Sequence, residues 1–193
     1  MKRFNFAILT AAAIAVTSAP AAAQLGTDKA LEFVQAVKER DGGKAEQLLG
    51  DNPKLLVNAR DLEGNTALLI AVSRSDESYT GYLLNKGADP NQAGKGGDTP
   101  LIIASRFGFE QGVEWLIGMG AKVDAANKMG ETALITAVVQ RQKPIVRILL
   151  DAGANPDKTD TAAGYSARQY AQRDSRARDI LNMIEAKKPS PKK

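Results

Sequence analysis

The chain has 193 residues, with 26 Lys+Arg against 22 Asp+Glu for a formal net charge of +4. Hydrophobic residues make up 44% and charged residues 25%, enough apolar surface for a core and too much for a mainly disordered chain. There is no Cys and no His, which excludes a disulfide framework, thiolate or imidazole metal ligation, and Ser-His-Asp or Cys-His catalysis.

The N-terminus reads as an address. Met1-Lys2-Arg3 is a positive start, Phe6 to Val16 an apolar run, and Ala21-Ala22-Ala23 fits an A-x-A cleavage pattern. The run is short for a membrane span. Residues 1–23 are therefore predicted to be a cleavable signal peptide, and the mature chain is expected in the bacterial periplasm or secreted. Cleavage removes two basic residues, Lys2 and Arg3, and no acidic one, so the mature charge falls from +4 to +2. An uncleaved anchor from Phe4 to Ala23 is the alternative, disfavoured because no apolar run continues past Ala23.

Asp28 to Arg40 predicts a helix with Asp28 as N-cap and Leu31, Val34 and Val37 on one face. Asp41-Gly42-Gly43 turns the chain, and Lys44 to Leu49 begins a second helix. Beyond residue 60 the chain repeats with a period of 33. Gly64, Gly97 and Gly130 keep that spacing, as do Thr66, Thr99 and Thr132, then Ala71, Ala104 and Ala137. Leu83-Leu84, Leu116-Ile117 and Leu149-Leu150 follow in phase, and Gly87-Ala88, Gly120-Ala121 and Gly153-Ala154 close each copy. A further copy with one inserted residue carries Gly164, Ser166 and Ala171.

Each unit reads as a turn, a short helix capped by Thr, and a second helix ended by Gly. Pro100 falls at the first helical position, which tolerates it best. One helix pair cannot bury its apolar face alone, so neighbours must stack. The last unit loses the apolar pattern at Arg168 and Gln169, as a polar terminal cap requires. The chain ends in KKPSPKK, of which 189–193 read as a disordered basic tail.

The period, together with Gly64-x-Thr66-Ala67-Leu68-x-x-Ala71, Leu83-Leu84-x-x-Gly87-Ala88-Asp89-x-Asn91 and Thr99-Pro100-Leu101, resembles the ankyrin repeat family. The resemblance implies an all-α solenoid of stacked helix-turn-helix units with β-hairpin or turn connections. Three full repeats (61–93, 94–126, 127–159) lie between an N-terminal cap (28–60) and a C-terminal cap (160–188) in a domain spanning 24–188. The family's usual His after Thr-Pro-Leu is replaced by Leu69, Ile102, Ile135 and Gln169, so apolar side chains are expected to fill that inter-repeat space.

Gly94 to Thr99 superficially looks like a phosphate loop, but the spacing fits no nucleotide motif and the 33-residue register explains it as a turn. Carboxylates fall on turns, caps and exposed faces, so no catalytic pair, metal or cofactor is predicted. Arg168, Arg173, Arg176, Arg178, Lys187, Lys188, Lys192 and Lys193 form a basic C-terminal cluster, read as a solvated cap and tail; an anionic surface or acidic protein is its alternative partner. Nucleic acid is disfavoured by the low overall charge. Trp115 aligns with Tyr82 and Ile148 and is expected in the core. Phe107 and Phe109 stand where the sister repeats carry Arg74 and Asp76, or Gln140 and Gln142; the register leaves interface and burial both open.

The family resemblance implies a non-catalytic, monomeric protein-binding module that uses hairpin tips and inner helices as a concave face. Its variable positions fall on Leu62, Glu63, Asn65, Ser73 and Arg74, on Lys95, Asp98, Arg106 and Phe107, and on Lys128, Met129, Glu131, Val139 and Gln140. Leu62, Phe107, Met129 and Val139 are the expected apolar anchors, with the charges as a rim. The alternative is an envelope-associated protein that contacts anionic surfaces through its basic C-terminus.

Overall fold

The structure is a computed structural model describing residues 21–50, 54 and 56–187, with side chains from Asp28 onward. The predicted signal peptide up to Pro20 and the tail from Lys188 lie outside the described residues. Ten α-helices follow in order among those described: α1 (Ala21–Glu39), α2 (Gly42–Leu49), α3 (Ala67–Ser73), α4 (Glu77–Asn85), α5 (Pro100–Phe107), α6 (Glu110–Gly118), α7 (Ala133–Val139), α8 (Lys143–Asp151), α9 (Ala167–Arg173) and α10 (Arg178–Ala186). They form antiparallel pairs. The first members stack in one row, α1 on α3, α3 on α5, α5 on α7 and α7 on α9. In the second row α4, α6, α8 and α10 follow one another.

Local chemistry explains each start and stop. The Thr66, Thr99 and Thr132 hydroxyls accept from the amides of Leu69, Ile102 and Ile135, each at 3.2 Å. Ser166 caps α9 reciprocally with Gln169, whose side-chain oxygen accepts from the Ser166 amide at 2.8 Å. Gln169 thus substitutes for the family histidine with a capping role. Leu69, Ile102 and Ile135 are instead almost fully buried, and fill the inter-repeat space as expected. The inner helices have seven or eight residues, too short to persist alone. In α3 every residue from Ala67 to Val72 is buried, so stacking is what stabilises it.

Between repeats runs a ladder that the sequence pattern did not disclose. Asn58 and Asn91 each accept from a backbone amide of the next repeat, Asp89 and Lys122 respectively, at 2.8 Å. Asp124 does the same for Asn155 at 2.9 Å. Each such bond contributes on the order of 1 kcal/mol and fixes the stacking register.

Three expectations are corrected. Asp28 does not cap α1, which starts at Ala21; Ala21 to Ala23 are strong helix formers and carry the helix backward. Leu31 is 36% exposed, while Phe33, Val34, Ala36 and Val37 make the buried face. Trp115 is only partly buried, packed against the core from the outer row, with its ring 3.6 Å from where a Cβ on Gly81 would stand.

The two phenylalanines divide. Phe109 is 5% exposed, at the N-cap of α6, and its ring occupies the space that a side chain at Gly112 would fill. Phe107 remains 55% exposed at the end of α5.

Candidate functional site

The turns between repeats are built by side-chain oxygens that take up loop amides. Asp61 accepts from the Asn65 amide at 2.7 Å, and Asn127 from those of Met129 and Glu131 at 2.9 and 3.0 Å. Asp160 accepts from Ala163 and Gly164, both at 2.9 Å. Each turn closes against the chain as an antiparallel bridge, at Arg60–Thr66, Ala126–Thr132 and Thr159–Ser166. Neighbouring turns then join backbone to backbone: the Lys128 amide donates to Gly96 at 3.2 Å, and the Thr161 amide to Met129 at 2.8 Å. The second, third and fourth tips are therefore joined into an edge beside the inner helices, and the first tip packs against the second where Gly64 meets Lys95.

Of the fourteen predicted site residues, the apolar ones reach solvent. Leu62 is 88% exposed, Met129 52% and Val139 48%, alongside Phe107. These four are large apolar side chains that the fold leaves uncovered on tips and inner-helix ends. Lys95, Lys128 and Gln140 are exposed too, and their side chains have no hydrogen-bond partner among the described residues.

The remaining polar candidates are largely committed within the molecule. Arg106 pairs with Asp98 at 2.6 Å; Asp98 also accepts from Asn127 at 2.8 Å, and Asn127 donates to Glu131 at 2.8 Å. Glu63 pairs with Lys38 at 3.0 Å, and Lys38 with Asp61 at 2.9 Å. Arg74 donates to the Lys38 carbonyl at 2.9 Å, closing the end of α1. Ser73 donates to Ile70 at 2.8 Å, and Asn65 is half-buried beside Gly94. The expected charged rim is thus, for Glu63, Arg74, Asp98, Arg106 and Glu131, an internal network. Asn127 and Lys38 organise it and were missed. Asn127 shares the register of Asp61 and Asp160, a turn-position signal that could have identified it.

Burial alone would raise the Asp98 carboxyl, but the Arg106 guanidinium and the Asn127 amide outweigh it and hold Asp98 below its ordinary value of 3.8. Asp160, nearly buried, is likewise pushed up by burial and brought below 3.8 by the Tyr170 hydroxyl and backbone amides. The Tyr170 hydroxyl donates to Asp160 at 2.6 Å and is itself pushed up to about 12. A carboxylate with a lowered folded pKa stabilises the fold above its unfolded pKa, and that contribution is lost as pH falls through the folded pKa. Thermal stability is therefore expected to decline as pH drops below about 4, the range of an unperturbed carboxylate. A melting temperature unchanged between neutral pH and strong acid would contradict this.

The basic C-terminal cluster is partly neutralised. Arg168 pairs with Asp157 at 2.7 Å, Arg176 with Asp174 at 3.3 Å and Lys187 with Asp151 at 2.5 Å, while Arg173 stacks over Tyr165. Lys188, Lys192 and Lys193 lie outside the described residues. Among the described residues no helix is long and apolar enough to cross a membrane.

A row of capped inner helices, a row of outer helices and a stacked edge of turns define a helical repeat solenoid, all-α in class. A family model described as "Ankyrin repeats (3 copies)" matches this chain over residues 33–127 and again over 97–160, together more than half of its length. The chain belongs to the ankyrin repeat family. Repeats of this family are generally protein–protein interaction modules, and typically non-catalytic. No curated protein matches the chain.

Proposed function

We propose that this protein is a non-catalytic, monomeric interaction module of the bacterial periplasm that binds a protein partner along its turn tips and inner helices. The observation that carries the reading is the uncovered apolar set, Leu62, Phe107, Met129 and Val139, on one stacked edge and the helix ends beside it. At the 33-residue register Leu62, Met129 and Val139 align with Lys95, Gly96 and Arg106 of the second full repeat, so the repeat pattern calls for no large apolar residue there. In the sister repeats the position of Phe107 holds Arg74 and Gln140, so folding tolerates a polar side chain there. Interface centres favour large apolar anchors. Docking through the basic C-terminus has weaker support, because Arg168, Arg176 and Lys187 already hold carboxylates.

Phe107→Ala is expected to weaken a partner captured from native periplasmic extract by about thirtyfold, on the order of 2 kcal/mol, at every salt concentration. Its melting temperature should match the parent. Titration calorimetry with the purified partner, beside thermal melts, checks both. A large loss of stability with affinity untouched would make Phe107 a core residue and remove the reading.

Location rests on Lys2-Arg3, the apolar run and Ala21-Ala22-Ala23. Cleavage there trims only the first turn of α1. N-terminal sequencing of the protein from its native host should begin at Gln24. Intact Met1 in the membrane fraction would refute export by cleavage.

A further inference from the structure

Charge on the turn edge is unevenly used. Two open hollows, of about 410 and 380 Å³, lie between successive tips from Leu62 to Asn127. Lys128 borders both; Arg60 and Lys95 border the first, and Lys122 the second. The carboxylate at the rim of the first is Glu63, already held by Lys38, and the second has none. Asp98 and Glu131, the neighbouring acids, are bound by Arg106 and Asn127. Lys95 and Lys128 are thus exposed and make no ion pair among the described residues; Met129 follows Lys128 on the same tip, and Phe107 and Val139 lie at the ends of the inner helices α5 and α7 that start from these tips.

We propose that the protein segment recognised by this face is acidic: a stretch of chain that places Asp or Glu carboxylates in the hollows against Lys95 and Lys128, and an aromatic or large aliphatic side chain against Phe107 and Val139. This rests on the interaction-module reading and names its partner class. Complementary charge speeds encounter and excludes basic competitors, while the apolar anchor sets the lifetime of the complex.

The test is selection of a displayed random short-peptide library on the full chain. Recovered peptides are then measured by fluorescence anisotropy against the parent, Phe107→Ala, and the double variants Lys95→Gln/Lys128→Gln and Lys95→Glu/Lys128→Glu. The lysines are on exposed tips, and circular dichroism verifies that each variant is folded. The expected peptides are rich in Asp and Glu around one large apolar residue. Their affinity should fall about tenfold in the neutral double variant and further in the reversed one, the loss shrinking as salt is raised.

Neutral or basic peptides that still depend on Phe107 would overturn the acidic assignment and leave the interaction face standing. Acidic peptides indifferent to Phe107 and to both lysines would overturn both. Recovery of no peptide overturns the acidic-segment assignment. Lysine-dependent binding to phosphatidylglycerol vesicles in that case would replace a protein segment by an anionic membrane.

Discussion

Leu134→Ala is expected to lower the unfolding free energy by about 2–5 kcal/mol, whereas Val139→Ala in the same helix should change it by no more than about 0.5. Leu134 is fully buried in α7, which packs against α5, α8 and α9, so its removal leaves a cavity at the junction of two repeat interfaces. Val139 is half in water and loses little. Urea titration separates the two, with the midpoint falling for Leu134→Ala at constant slope. A lowered slope would show that the array has split into independently melting segments, since solenoid stability is a sum over neighbours. Equal effects at the two positions would mean that Val139 is structural and not available to a partner.

The fold was legible because its determinants are local and recur. A Thr cap, a glycine turn and an apolar pair at constant spacing each state one element, and three copies in phase remove the ambiguity that a short apolar run carries alone. Legibility failed where the repeat is absent or where a contact depends on a missing side chain. The first helix has no sister copy to set its start, so the caps and alanines competed without an arbiter. Phe109 is buried because Gly112 lacks a Cβ, a coincidence within one turn that no periodic pattern encodes.

Among the candidate positions, exposure was legible in the sequence only for the apolar ones. Register identifies positions that packing does not use, and a large apolar residue there stays exposed, as Leu62, Phe107, Met129 and Val139 do. Charged residues at equivalent positions gave no such guide. Whether Arg106 or Arg74 faces a partner depends on a carboxylate or carbonyl within a few ångströms, supplied by Asp98 in one case and by the end of α1 in the other. Long polar side chains choose among such partners by rotamer, which the linear spacing does not determine.

Gly97→Ala is expected to cost about 2 kcal/mol or more, and Gly96→Ala, its neighbour on the same tip, close to nothing. Gly97 sits at φ +85°, a left-handed conformation that costs a residue with a Cβ about 1–2 kcal/mol. The new methyl would also stand 2.8 Å from the Lys128 backbone nitrogen and 3.2 Å from the Asn127 Cα, neither of which is the end of a flexible side chain. Relief requires the third tip to move away, which stretches the Lys128 amide from the Gly96 carbonyl and opens the edge between repeats. A methyl on Gly96 meets nothing within 4 Å. Denaturant midpoints of the two variants give the comparison. If the turn edge also forms the docking surface, Gly97→Ala should weaken a partner that Gly96→Ala binds normally, because displacing the third tip carries Lys128 and Met129 with it. Equal stability of the two variants would mean that the turns are not joined as the backbone bonds place them.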